Sequence, residues 1–154
     1  MDLGDLITLD RIIPVLSANS KKQVLQELSA KAAEVTRLPE REVFDTLLQR
    51  ERLGTTGVGR GIAIPHGKLA NLDEIVGIFA RLEQPVDFES VDGEPVDLVF
   101  LLLAPESAGA DHLKALARIS RLLREPAITD KLRASSSQAE IYRILTDVTT
   151  SHAA

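Results

Sequence analysis

The 154-residue sequence contains no cysteine. That excludes a disulfide framework, a thiolate nucleophile and any zinc or iron–sulfur site built on thiolates, and it fits a reducing cytoplasm. Tryptophan is also missing, and only one tyrosine and four phenylalanines are present, so the core must be aliphatic and stacking platforms for bases are nearly absent. Basic residues are the minority, 18 Lys and Arg against 23 Asp and Glu, for a net charge of −5. This is the opposite of the surface that reads a phosphate backbone, and no nucleic-acid partner is expected. No apolar run approaches the ~18–20 residues that span a bilayer, and the first residues carry Asp2 and Asp5 without a basic export signal. A cytoplasmic protein with no direct membrane insertion is expected.

At 44% hydrophobic residues the chain has enough apolar surface for one core. A single domain over residues 1–154 is expected, its core at about 6–147 and a frayed tail at 149–154. The opening segment, with Pro14, reads as irregular chain or a short strand. Ser20 and Gln23 have the spacing of a capping box, and Val24, Leu25, Leu28, Ala32 and Val35 then lay an apolar stripe along one helical face. Pro39 suits the first turn of a second helix, whose buried side is Val43, Phe44, Leu47 and Leu48. The text then changes to LGTTGVGRG, four glycines in nine positions, which reads as loop.

Short apolar segments follow. Residues 62–64 and 75–82 are strand candidates, 86–88 a possible edge strand, and VDLVFLLLA at 96–104 has the continuous apolar character of a strand buried on both faces. Helical spacing returns with Leu113, Leu116, Ala117, Ser120 and Leu123; Pro126 interrupts it, a short helix is expected near 127–132, and Ser137 with Glu140 forms a second capping box. The order predicts an α/β fold, a three-layer α/β/α domain with a central mixed β-sheet and helices on both faces.

With no cysteine, histidine is the natural group for nucleophilic or proton-transfer work near neutral pH. Three are present, and His152 lies in the tail. His66 stands in IAIPHGK, after a short apolar strand and between Pro65 and Gly67, which fix the backbone before it and remove a side chain after it. A lone strand-end histidine fits two readings, a ring that bonds a carbonyl or a ring that reacts. His112 follows Asp111 at a helix start, where an anion is favoured, although a solvated surface histidine fits as well. Arg50-Glu51-Arg52 ends the second helix, either as a solvated face or with an arginine able to reach a phosphoryl group. The loop glycines Gly54, Gly57, Gly59 and Gly61, with Thr55 and Thr56, can offer N–H groups and hydroxyls to an anion. Their spacing is neither a Walker A loop nor GxGxxG. No H-x3-H or HExxH spacing supports a metal, and no metal or cofactor is expected.

Taken as one segment, ERLGTTGVGRGIAIPHG resembles the active-site signature of type-2 enzyme IIA domains of the bacterial phosphoenolpyruvate-dependent phosphotransferase system. LPEREVFDTLLQRERLGTTGVG before it and DHLKALARISRLL after it are similar to the same family, and the text is most like its nitrogen-regulatory branch. The resemblance implies that His66 accepts a phosphoryl group at Nε2 as a tele-phosphohistidine, flanked by Arg50 and His112, with the Thr55, Thr56, Gly57, Gly59, Gly61 and Gly67 loop near the phosphate. It implies an HPr-like donor, called NPr in that branch, charged by an enzyme I homologue. It also implies output through the phosphorylation state on targets such as potassium-uptake systems or sensor kinases. The alternative within the family is a sugar-specific domain of the fructose or mannitol type. Such a domain passes the phosphoryl group to a IIB acceptor, usually a cysteine, which this chain does not carry.

Overall fold

The computed structural model describes residues 2–153, with side chains through Asp147. Its elements run β1 (Ile12–Leu16), α1 (Lys21–Thr36), α2 (Glu40–Arg52), β2 (Gly57–Gly59), β3 (Ile62–Ala63), β4 (His66–Leu69), β5 (Val76–Val86), β6 (Val96–Pro105), α3 (Ala110–Leu122), α4 (Pro126–Ala134) and α5 (Gln138–Ala153). The expected tail at 149–154, with His152, falls where side chains lie outside the described residues, and the helix backbone continues to Ala153.

β6 is the centre of a six-stranded mixed sheet of order β1-β5-β6-β3-β2, with β4 also paired to β6. β5 runs antiparallel to β6, whereas β3 and β4 run parallel to it, one after the other along its second edge. The continuous apolar text of β6 has a direct structural cause. Leu98, Phe100 and Leu102 pack on one face with Ala115, Ile119, Leu132, Ile141 and Leu145 of the last three helices. Val99, Leu101 and Leu103 pack on the other with Leu25, Leu28, Val43 and Leu47 of α1 and α2. Strand alternation thus divides one segment between two cores, and the expected three-layer arrangement is present. Each such fully buried side chain stabilises the fold by roughly 1.5–3 kcal/mol relative to exposure.

The caps follow the sequence with one adjustment. Ser20 Oγ accepts the Gln23 N–H at 3.1 Å, but the Gln23 side chain reaches back to the Asn19 N–H, at 2.7 Å, one residue before the cap. Pro39 is itself the cap of α2, and Pro126 is the first residue of α4, where a missing N–H costs nothing. Ser137 caps α5 through the Glu140 N–H. Pro14 sits in β1 at the sheet edge, where proline is tolerated.

Three strand expectations are corrected. Residues 57–59, read as loop, form β2, which pairs antiparallel with β3. The separate edge strand at 86–88 does not exist: β5 continues through Val86, which pairs with Val96 after a register shift that accommodates Pro85, and Phe88 is buried outside the strand. His66, placed after a strand by its sequence, opens β4 instead, opposite Leu102 of β6.

Gly67 marks where α2 closes on β4. A Cβ there would stand 2.7 Å from Thr46 Cγ2, closer than packed carbon atoms approach. Gly67→Ala is expected to cost about 1–3 kcal/mol in urea denaturation through overpacking, and a second change, Thr46→Ser, which removes the opposing methyl, should restore most of it. An unchanged midpoint in Gly67→Ala would show that α2 and β4 are not packed this tightly.

Candidate active site

His66 lies beside the last third of β6, and α3 begins shortly after β6 ends. The C-terminal ends of sheet strands are where open α/β folds bind ligands. Register along β6 therefore sets the height of His66, the β6–α3 connection brings in His112 in the first turn of α3, and α2, packed against β4, delivers Arg50 from its last turn.

The hydrogen bonds fix the state of the His66 ring. Nδ1 lies 2.8 Å from the Ile64 carbonyl oxygen, which can only accept, so Nδ1 carries the proton. The Arg50 Nε–H donates to Nε2 at 3.2 Å, and because guanidinium has no acceptor, Nε2 must hold a lone pair. The carbonyl-bonded reading and the reactive reading of this histidine are therefore compatible, since the carbonyl bond selects the tautomer that leaves Nε2 unprotonated. Arg50 is also tied through Nη1 to the Gly54 carbonyl at 2.9 Å.

His112 is not a surface histidine. It is only 6% exposed, and its ring centroid stands 5.7 Å from that of His66, tilted by 54°. Its Nδ1 is buried without a hydrogen-bond partner. Burial lowers both histidines below the ordinary value of 6.5. For His66 the carbonyl of Ile64 works against the shift and the Arg50 guanidinium adds to it. For His112 the neighbouring His66 and Lys68 add to it. Both rings are held neutral near pH 7.

The loop between Arg50 and His66 is braced by a residue that the sequence reading left on a solvated face. The Glu51 side chain is 3% exposed and sits 2.8 Å from Lys21 Nζ. Its carboxylate accepts both the Thr56 N–H, at 3.0 Å, and the Thr56 hydroxyl. A sequence signal existed: Glu51 falls four residues after Leu47 and eight after Val43, on the buried stripe of α2. Lys21→Met is expected to lower stability by about 3 kcal/mol, because it leaves a buried carboxylate without its cation. Adding Glu51→Gln, which keeps an acceptor for Thr56, should recover part of the loss. Equal urea midpoints for wild type and Lys21→Met would contradict this.

The remaining nominated residues separate from the histidines by what they touch. The Thr55 hydroxyl donates to the Phe88 carbonyl at 2.7 Å, so both threonine hydroxyl protons are committed within the fold. Gly57 and Gly59 pair with Ala63 and Ile62 in the β2–β3 hairpin, and Gly61 closes on Arg133 and Asp97. Arg50, His66 and His112 converge, whereas the glycines and threonines chiefly build the hairpin and the brace behind them. Among the described residues no group of three His, Asp or Glu side chains is placed to hold a metal ion.

Comparison with known proteins identifies the family and the fold. Residues 5–148 match the sequence family described as phosphoenolpyruvate-dependent sugar phosphotransferase system, EIIA 2. A nitrogen regulatory protein of Bradyrhizobium diazoefficiens is 66% identical over 145 residues, covering 94% of this chain and 95% of that protein. That of Escherichia coli is 44% identical over 129 residues, covering 83% and 79%. The crystal structure of nitrogen regulatory protein IIA-Ntr from Neisseria meningitidis superposes with a TM-score of 0.89 at 37% identity, covering 94% of this chain and 99% of that one. Escherichia coli IIA mannitol, at 19% identity and a TM-score of 0.78 over 90% of this chain and 98% of that one, shares the fold. The match along nearly the whole chain, on a fold whose sheet carries His66 beside Arg50 and His112, establishes that this chain belongs to the EIIA type 2 family of the phosphotransferase system.

Proposed function

We propose that the chain is a cytoplasmic phosphocarrier and regulator that takes a phosphoryl group on His66 Nε2 from a phosphorylated HPr-like carrier of the NPr type. The carrier is charged by an enzyme I homologue. The observation that carries this reading is the tautomer: Ile64 holds the proton on Nδ1, and the lone pair of Nε2 is left for phosphorus. In the transfer the donor's P–N bond breaks, its electron pair returns to the donor ring, and the Nε2 lone pair forms the new P–N bond. The proton stays on Nδ1, donated to the Ile64 carbonyl, whose oxygen stabilises the positive charge that builds on the ring. Arg50 gives up Nε2 and turns its N–H groups to the phosphoryl oxygens, and His112 donates to them from the other side. Leu53 and Leu113, 85% and 67% exposed, give the site an apolar rim for the donor.

The phosphoryl group adds roughly −1.5 to −2 charge units at this rim, which changes what can dock there without refolding the domain. Targets such as potassium-uptake systems or sensor kinases are then regulated by phosphorylation state. The 66% identity to a nitrogen regulatory protein favours this output over sugar transport. Among the described residues no helix is long and apolar enough to cross a membrane.

Incubation with phosphoenolpyruvate, the enzyme I homologue and the carrier is expected to give one acid-labile phosphoryl group per chain. No adduct would defeat the proposal. The rate of uptake should be level near neutral pH and fall only as pH drops below 6.5, because protonation of Nε2 removes the lone pair. Folding stability should move in the same sense. As pH drops through 6.5 the unfolded histidines bind protons that the folded ones do not, so stability declines until the depressed folded values are passed.

A further inference from the structure

The carbonyl that holds the His66 ring lies outside the strands. Ile64 and Pro65 fall between β3 and β4 and belong to neither, and Pro65 has no N–H with which to fasten the segment. Two other bonds fix it. On one side the Leu102 N–H of β6 donates to the Pro65 carbonyl at 2.9 Å, and on the other the Ile64 N–H donates to the Thr56 carbonyl at 3.0 Å. The next link is the Nδ1–H of His66, given to the Ile64 carbonyl at 2.8 Å.

Thr56 is in turn held twice by Glu51, whose carboxylate accepts its N–H, at 3.0 Å, and its hydroxyl. Contacts therefore run without a gap from Lys21 Nζ to Glu51, at 2.8 Å, then to Thr56, to Ile64 and to the ring. The same turn carries the Gly54 carbonyl, which holds Arg50 Nη1 at 2.9 Å. A carboxylate side chain only 3% exposed is a costly way to fill space, since apolar side chains of like volume can replace a buried ion pair without loss of stability. What Glu51 supplies, and an apolar residue cannot, is a rigid pair of charged acceptor atoms at the end of α2, both engaged by one residue.

We propose that Glu51 is a positioning residue for phosphoryl transfer: by clamping Thr56 it holds the Ile64 carbonyl where that oxygen keeps the proton on Nδ1 of His66 and the lone pair on Nε2. It acts through Thr56 and Ile64 rather than on the ring directly. The role in transfer rests on reading His66 as the phosphoryl acceptor, whereas the hold on the ring in the free protein does not.

Nitrogen-15 NMR of the histidine rings, recorded on the free full-length protein well above pH 6.5, reads the tautomer, and uptake from the phosphorylated HPr-like carrier reads the rate. In Glu51→Ala the Nδ1 and Nε2 shifts of His66 should draw together as the two tautomers mix, and uptake should slow about 10–100-fold with the adduct still on His66. Glu51→Gln combined with Lys21→Met removes both charges but keeps both bonds, the amide oxygen accepting the Thr56 N–H and the amide nitrogen donating to the Thr56 hydroxyl. This double variant should show wild-type ring shifts and uptake within about threefold of wild type. Thr56→Val keeps the shape and removes only the hydroxyl bond. It should move shifts and rate in the same direction as Glu51→Ala, the rate by about threefold, and it decides the matter if Glu51→Ala does not fold. Wild-type ring shifts or a wild-type rate in Glu51→Ala, or in Thr56→Val where Glu51→Ala is unfolded, would overturn the proposal, as would a loss in the double variant as large as in the single ones. Absence of any adduct on the wild-type protein would defeat the phosphocarrier reading alone, because the ring shifts still report whether Glu51 holds the tautomer.

Discussion

Replacing His66 with alanine is expected to abolish phosphoryl uptake to the limit of detection, with the fold intact. The ring is only half-buried and its hydrogen bonds are to Ile64 and Arg50, so its loss leaves the cores on the two faces of the sheet untouched. Among the described residues no other side chain is placed to take over. The chain has no thiol, and His112 is nearly fully buried with burial and the charge of Lys68 lowering its basicity. His112→Ala makes the contrast, because it removes a donor to the phosphoryl group but not the nucleophile. Uptake should slow about 10²-fold while the adduct still forms on His66. Quantifying acid-labile radiolabelled phosphate on each variant, beside its thermal melt, separates the two roles. An adduct of wild-type yield on His66→Ala would place the chemistry elsewhere.

Arg50→Ala should slow uptake by about 10²–10³-fold, the usual cost of removing a donor aimed at charge that develops in the transition state. Arg50→Lys should recover little of this. An ammonium is a point charge and cannot span two phosphoryl oxygens as a guanidinium placed 3.2 Å from Nε2 would. A second readout distinguishes this from loosening of the loop through the lost bond to Gly54. The Arg50 charge helps to hold the His66 pKa down, so its removal should shift the acid limb of the pH–rate profile to higher pH. A slower variant whose acid limb does not move would make Arg50 a brace for the loop rather than a partner of the ring.

Parts of this architecture are legible in the sequence because their causes are local. The apolar text of β6 demands burial on both faces, and Ser20, Ser137 and Pro126 announce helix starts through the chemistry of single turns. β4 is not legible. HGKL carries no strand pattern, and it becomes a strand only because the edge of β6 beyond β3 lies open to it, which is a property of distant residues. The length of β5 fails for a related reason, since Pro85 reads as a turn until a register shift opposite β6 makes room for it. At the site, spacing alone left His66 and His112 open between structural and reactive readings, and the longer family resemblance nominated them together with Arg50. It did not show why Nε2 is the free nitrogen, because the deciding partner is the backbone oxygen of Ile64. Nor did it show that the threonine hydroxyls are spent on Phe88 and Glu51.

The central claim is that the carbonyl of Ile64 holds the proton on Nδ1 and so reserves Nε2 of His66 for phosphorus. The most direct test is nitrogen-15 and phosphorus-31 NMR of the histidine rings before and after phosphorylation by the carrier. The account predicts an Nδ1–H tautomer for His66 in the free protein and, after transfer, phosphorus–nitrogen coupling on Nε2 with the Nδ1 proton retained. Coupling on Nδ1 of His66, or on His112, would contradict it.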